Sequence, residues 1–304
     1  MRVAILDLGS NSFHLVVYDI MHDMHFSVVC RRSHGNMISR EEYQSGRSGE
    51  DAFKNAIAAV NDLVCHARAS DSEYIGCFAT GIFRDYPKAS AFFDALRVQC
   101  GITIELLSPE EEGKTVFAGI RNFYTWAHEY CILDIGGGST ECVSVSGGNV
   151  RWIKSVPLGT VSLGRMCRQG KTERGWEKKK KVVLARFEEL FSAACQETYR
   201  VCFGVSGLFR NVASCIATHA HDVGCYNLYP PCVTYQEIAG IAEIMCLKND
   251  SLNSRESYSM IEMGTAVLLA FMKRSSLSSV YVSDISSREG YLYRCFETGA
   301  ITMR

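Results

Sequence analysis

One short pattern occurs twice, and it restricts the fold more than anything else in the chain. Residues 5–17 read ILDLGSNSFHLVV and residues 132–145 read ILDIGGGSTECVSV. Each gives an apolar pair, an aspartate, another apolar residue, a glycine-led polar turn and a second extended run. Asp7 and Asp134 are the matched positions, 127 residues apart (134 − 7). Each copy reads as a strand, a tight turn and an antiparallel strand, with the aspartate near the end of the first strand. Repetition at this distance predicts two similar half-molecules facing a central cleft. Glycines remove the Cβ atoms that would keep an anion off the backbone, so the turn N–H groups can form a concave nest for phosphate. Gly136, Gly137 and Gly138 supply this in the second copy. A carboxylate beside such a nest is a poor phosphate ligand and a good Mg²⁺ ligand. One glycine turn would be weak evidence. The pair points to an anhydride phosphate chain with a metal.

The rest of each half follows one plan. Third strands are expected at residues 25–31 and 149–156. In the first half a helix follows at 50–68, where Phe53, Ile57, Val60 and Val64 make one apolar stripe. Residues 74–79, YIGCFA, read as a buried strand that runs through a turn into a helix at about 85–100. Arg84 sits just past that strand end, where α/β folds place ligand-binding groups, although a lone arginine is ordinarily a surface ion pair. Residues 102–107 read as the next strand. Ser108 as N-cap and Pro109 at the first helical position then start a helix to about 122. Glu110, Glu111 and Glu112 in its first turn suit the helix dipole, and on position alone that explains them. In the second half, strands are expected at 201–205 and 279–283. Helices are expected at about 160–168, 174–198, 234–248 and 256–273, with a loop at 226–233. A last helix follows Gly290. Lys171–Lys181 is a basic run, read as a solvated helix face, with a rail for a polyanion as the alternative.

Three meandering strands followed by alternating helices and strands, twice, is a duplicated ribonuclease-H-like α/β architecture. The expected domains are 1–125, with a C-terminal helix at about 286–304 packing back on it, and 126–285.

Composition narrows the function classes. The 304 residues are 47% hydrophobic and 21% charged, as in an ordinary globular protein. The net charge of −1 provides no global attraction for a polyanion, so such a partner needs a local patch. The 14 cysteines lie scattered through apolar segments without a C-x-x-C pair, and read as small buried hydrophobes in a reducing cytoplasm. No signal peptide, membrane span or nucleic-acid-binding motif is evident.

Taken together, these motifs resemble the exopolyphosphatase and guanosine pentaphosphate phosphohydrolase (Ppx/GppA) family of the actin, sugar-kinase and Hsp70 superfamily. Asp7 to His14 is similar to the family's first phosphate loop, and Asp134 to Glu141 to its second. Ala79-Thr80 with Arg84 matches its Ala-Thr-x-x-x-Arg element. Glu111-Glu112 matches its Glu-Glu helix start, and Ser283-Asp284 with Arg288-Glu289-Gly290 its C-terminal signature. The resemblance implies an actin-like ATPase fold and Mg²⁺-dependent release of terminal phosphate from polyphosphate or pppGpp, with Mn²⁺ as an alternative ion. In that reading Asp7 and Asp134 hold the metal. The loops Gly9, Ser10, Asn11, Ser12 and Gly136, Gly137, Gly138, Ser139, Thr140 hold phosphate. Arg84 neutralises the transferred phosphoryl group. Motif register makes Glu111 the base that orients the attacking water, with Glu112 as its neighbour. His14 is a packing or hydrogen-bonding residue.

Leu208 in Gly204–Leu208 and the bulky Met260–Gly264 stretch depart from the family pattern and weaken the case for guanosine recognition. The extra C-terminal helical domains of longer relatives have no counterpart, which favours short polyphosphate. The reading is therefore an exopolyphosphatase, cytoplasmic and homodimeric, binding no nucleic acid or membrane. The alternatives are a pppGpp phosphohydrolase, a regulator that binds either ligand with little turnover, and a kinase, for which no adenosine pocket or acceptor site is found.

Overall fold

A computed structural model describes residues 1–21, 25–36, 38, 49–163, 176–191, 198–216, 230–251 and 257–302. The chain divides into two compact units, one formed by Met1–Gly119 with Ser287–Arg304 and the other by Ile120–Ser286. Each contains one mixed β-sheet with helices packed on it, which is the duplicated α/β architecture expected.

The first unit opens with β1 (Arg2–Leu8), β2 (Ser12–Ile20) and β3 (Phe26–Gly35). Helix α1 (Gly49–Ala69), β4 (Tyr74–Ala79), α2 (Ile82–Asp85), α3 (Ala89–Cys100), β5 (Glu105–Leu106) and α4 (Pro109–Phe123) follow. The sheet order is β3-β2-β1-β4-β5. Strand β1 is antiparallel to β2 and parallel to β4. It is central, and Val3 to Leu6 are fully buried, so it reads as one apolar run rather than an alternating one. The α1 stripe is buried as expected at Ile57, Val60 and Val64, with Leu63 and Ala67 extending it.

Two elements differ from expectation. The helix expected at 85–100 is broken into α2 and α3, because Pro87 removes an N–H and holds Tyr86 extended, at φ −83° and ψ 111°. The strand expected at 102–107 shrinks to two residues, which pair only with Phe78 and Ala79 at the end of β4.

The second unit repeats the plan with β6 (Tyr130–Ile135), β7 (Thr140–Ser146), β8 (Asn149–Val156), α5 (Trp176–Phe191), β9 (Cys202–Val205) and α6 (Gly207–Ile216). It continues with β10 (Cys232–Thr234), α7 (Tyr235–Ser251), α8 (Ser257–Arg274) and β11 (Ser279–Val282). Its sheet order is β10-β11-β9-β6-β7-β8. The expected loop at 226–233 ends instead in an edge strand. Pro231 lacks an N–H, but its carbonyl accepts from Val282 at 2.8 Å. Much of the Lys171–Lys181 run lies outside the described residues; Lys180 and Lys181 belong to α5. The expected helix at 160–168 is described only to residue 163.

Helix α9 (Ser287–Glu297) returns the chain to the first unit, where Tyr291, Leu292 and Cys295 are buried. Tyr18 of β2 donates to the buried Glu289 carboxylate at 2.6 Å. Among the described residues no helix is long and apolar enough to cross a membrane.

Candidate active site

In the first unit the turn after β1 closes with Gly9 N–H donating to Ser12 O at 3.1 Å. The Asn36 side-chain amide donates to Gly9 O at 2.8 Å, and the Asn36 N–H to Asn11 O at 2.9 Å. A trans peptide points its N–H opposite to its carbonyl, so engaging the Gly9 carbonyl turns the Ser10 N–H away from Asn36. Ser10 Oγ accepts from Ile82 N–H at 3.0 Å, which pins the turn to the start of α2. Ser12 Oγ and His14 Nε2 lie 2.6 Å apart, a hydrogen-bonding role for His14. Asn36 is a residue that sequence reasoning misses, because no local pattern marks it.

Asp7 pairs in register with His14 across the hairpin. Its side chain is only 13% exposed, and Arg288 from α9 reaches its Oδ2 at 3.4 Å. Burial pushes the Asp7 carboxyl up to about 6; Arg288 opposes the shift, while Glu112 and Glu289 add to it. Arg288 therefore belongs to the charge cluster around Asp7. Sequence reading had flagged it within a terminal signature and given it no role.

The paired glutamates separate cleanly. Adjacent helical residues point about 100° apart. Glu111 turns back on its own helix start: its Oε2 accepts the Ser108 N–H at 2.7 Å, and its N–H donates to Ser108 Oγ at 3.2 Å. This is a complete capping box, and hydrogen bonding from the Ser108 side chain and from the Ser108 N–H holds the Glu111 carboxyl below its ordinary range. Glu112 turns toward the other charges. Its carboxylate pairs with Arg84 and accepts the Gly81 N–H at 3.4 Å, and both ion-pair partners are largely buried. Arg84 also donates to Leu107 O at 2.8 Å. Asp7, Arg84, Glu112 and Arg288 are thus brought together at one end of the first sheet, whereas Glu111 is occupied elsewhere.

The second unit builds the same turn from different supports. Gly136 N–H donates to Ser139 O at 3.0 Å, and Asp134 pairs in register with Glu141. The segment after β8 packs against the turn: Thr160 N–H donates to Gly136 O at 2.9 Å and Val161 N–H to Gly137 O at 2.8 Å. With those carbonyls facing residues 160 and 161, the Gly137 and Gly138 N–H groups face the opposite way, as an anion nest needs. Gly159 makes this packing feasible, since a Cβ there would lie 2.3 Å from Gly137 O. Thr140 departs from expectation. Its side chain is fully buried and its hydroxyl donates to Leu158 O at 2.6 Å, so it anchors residues 157–159. Ser206, at φ 117°, donates from Oγ to Ile135 O at 3.1 Å and ties the end of β9 to the end of β6.

The Ppx/GppA phosphatase family model matches residues 16–298. The chain belongs to the Ppx/GppA phosphatase family. Exopolyphosphatase 1 of Mycobacterium bovis is 28% identical over 170 residues, covering 56% of this chain and 48% of that protein, so the match spans about half of that relative's length. Exopolyphosphatase 1 of Mycobacterium leprae is 24% identical over 319 residues, covering 99% of this chain and 91% of the relative. Among solved structures, the Aquifex aeolicus Ppx/GppA family member is 23% identical with a TM-score of 0.81, covering 99% of both chains. An exopolyphosphatase from Cytophaga hutchinsonii is 17% identical with a TM-score of 0.84, covering 98% of both. At these identities the two structures speak to the fold of this family member, and they agree with its two-sheet architecture.

Proposed function

We propose that this protein is an exopolyphosphatase that releases terminal orthophosphate from inorganic polyphosphate by hydrolysis, with short chains preferred. Family membership and the names of the mycobacterial relatives support the reaction class. The observation that carries the reading is the cluster of Glu112, Arg84 and Asp7 at the Gly9–Ser12 turn: a carboxylate, a guanidinium and a possible metal ligand beside a phosphate-type loop.

Transfer of a phosphoryl group to water asks little covalent chemistry of the protein and much positioning. We assign Glu112, rather than Glu111, to orient the attacking water and accept its proton. Arg84 holds Glu112 in place through one terminal nitrogen, and the remainder of its fork is assigned to the oxygens of the transferred group. The backbone N–H groups of Ser10 and Asn11 hold phosphate oxygens, as do those of Gly137 and Gly138 in their own unit, with the Asn11 and Ser139 side chains adding donors.

The residues present fit a divalent cation. Asp7 is a hard oxygen ligand in a buried setting that disfavours its ionised form, with Arg288 opposing that penalty and Glu112 and Glu289 adding to it. Among the described residues no three His, Cys, Asp or Glu side chains are placed to enclose a metal. That suits Mg²⁺, which is held by one or two carboxylates plus substrate phosphates, and Mn²⁺ would be taken in the same way. Asp7 would be the principal ligand, with Asp134 assigned from its matched position. When bound, the ion neutralises phosphate charge.

The deciding experiment is phosphate release with Mg²⁺ from short polyphosphate, long polyphosphate and pppGpp, side by side. Release from polyphosphate, fastest per end on short chains, is expected. Release from pppGpp alone would replace this reading with a pppGpp phosphohydrolase. Tight binding without release would make the protein a regulator.

A further inference from the structure

Helix α9 meets β1 and α4, the elements that carry Asp7 and Glu112, and reaches β2 and β5 as well. Its first turn places Arg288 on Asp7 of β1 and Glu289 on Tyr18 of β2. Further along, it crosses α4 at very short range. A Cβ on Gly290 would lie 1.8 Å from Thr115 O and 3.2 Å from Gly119 N, so only glycine admits this approach. One turn later, Arg294 reaches back across the crossing. One terminal nitrogen donates to Thr115 Oγ1 at 2.7 Å and the other to Glu105 Oε1 at 3.0 Å.

The geometry matters because of where Thr115 sits. Glu112, Thr115 and Gly119 are spaced by three and four residues, so they share the face of α4 that meets α9. Glu112 lies one turn before the contact. Arg294 bridges α4 to β5, the two elements on either side of Leu107 and Ser108. Leu107 O is an acceptor for Arg84, and Ser108 caps α4. The Arg294 fork therefore spans the connection that sets both partners of Arg84. Thr115 is fully buried, so its hydroxyl is a fixed acceptor rather than a solvent-averaged one.

We propose that Arg294 and Thr115 are positioning residues for the hydrolytic reaction: their bond, at the crossing that Gly290 admits, fixes Glu112 against Arg84 and Asp7. Neither residue is assigned a contact with substrate. The inference rests on Glu112 as the carboxylate that orients water. A misplacement of about 1 Å can cost 10²-fold in rate, so a tie one turn away suffices to matter.

The test is steady-state kinetics on polyphosphate for Thr115→Val, Thr115→Ser and Arg294→Met, with folding of each checked by circular dichroism and thermal melting. Thr115→Val removes the acceptor at nearly constant volume. It is expected to lower kcat about 10-fold or more while leaving KM within about 2-fold, since the phosphate loops are untouched. Thr115→Ser keeps the hydroxyl and is expected to restore kcat. Should Thr115→Val fail to fold, Arg294→Met alters a partly exposed side chain and carries the same expectation. A folded Thr115→Val or Arg294→Met with wild-type kcat would overturn the proposal. So would a Thr115→Ser enzyme as slow as Thr115→Val. Failure of the wild-type protein to release phosphate would instead overturn the function on which the proposal rests.

Discussion

The hairpins β1–β2 and β6–β7 close with the same turn bond, at 3.1 Å and 3.0 Å, and set Asp7 and Asp134 at the same register position. What surrounds them differs. Around the first turn lie two arginines and two further carboxylates, with burial pushing the Asp7 carboxyl upward. Around the second turn lies backbone: residues 157–162 pack onto the glycines through N–H to carbonyl bonds and the glycine at 159. One copy of the duplicated frame has concentrated charge, and the other has concentrated main-chain donors. The same turn geometry occurs twice, in two different surroundings.

The strongest way to break this division is to neutralise the carboxylate assigned to water. Glu112→Gln is expected to lower kcat by about 10³-fold with KM little changed. Near-normal turnover in that variant, measured as phosphate release, would remove the chemistry from the first hairpin. Next in size is Gly159→Ala, which drives a methyl into the Gly137 carbonyl. It is expected to raise KM about 10-fold with a smaller change in kcat. An unchanged KM in a folded Gly159→Ala protein would show that the second turn does not hold substrate.

A smaller effect of opposite sign concerns stability. The folded state raises the Asp7 pKa above its ordinary value of 3.8 to about 6, so it binds that proton more tightly than the unfolded chain does. Ionisation therefore opposes folding. The penalty is absent below about pH 4, grows between pH 4 and 6, and is complete above 6. In chelator, Asp7→Asn is expected to raise the melting temperature at pH 7.5, worth on the order of 1–3 kcal/mol, while ending turnover. The gain should fade as the pH drops toward 4. A gain that persists at pH 4 would show that charge is not its cause.

The smallest effect separates the two glutamates. Glu111→Ala is expected to cost a few tenths to about 1 kcal/mol of stability, through the lost capping box, and to leave kcat within about 3-fold. Because the Glu111 carboxyl is held below its ordinary range, its contribution is present at neutral pH and is lost as pH falls through that lowered value. A loss of turnover larger than that of Glu112→Gln would return the base assignment to Glu111.

The duplicated fold was legible because it rests on pattern. Apolar strands, a repeated Asp-x-Gly turn and a Ser-Pro helix start are local, and each dictates its own geometry. The site was legible at the level of residue types and less so at the level of atoms. A run of three glutamates does not say which one points inward, and the outcome depended on Ser108 claiming Glu111 for the cap. Thr140 looked like a phosphate-loop hydroxyl, yet its side chain falls on the buried face of β7 beside the Leu158 carbonyl. Arg288 and Asn36 meet the first turn from 281 and 27 residues away in sequence (288 − 7 and 36 − 9). No spacing rule connects such residues to a hairpin. The break between α2 and α3 follows from Pro87, a local signal.

The first unit is written in two pieces, with the whole second unit between them. During synthesis on a ribosome, the strands of the first sheet and the Asp7 turn emerge early, while α9 emerges only after the second unit. Until then Asp7 lacks Arg288, Tyr18 lacks Glu289, and the face of α4 around Thr115 lacks α9. The nascent protein thus carries a finished Asp7 turn but an unfinished charge cluster. The cluster is completed only once α9 has been made, so a message truncated shortly before that helix yields a chain with both hairpins and no Arg288 beside Asp7.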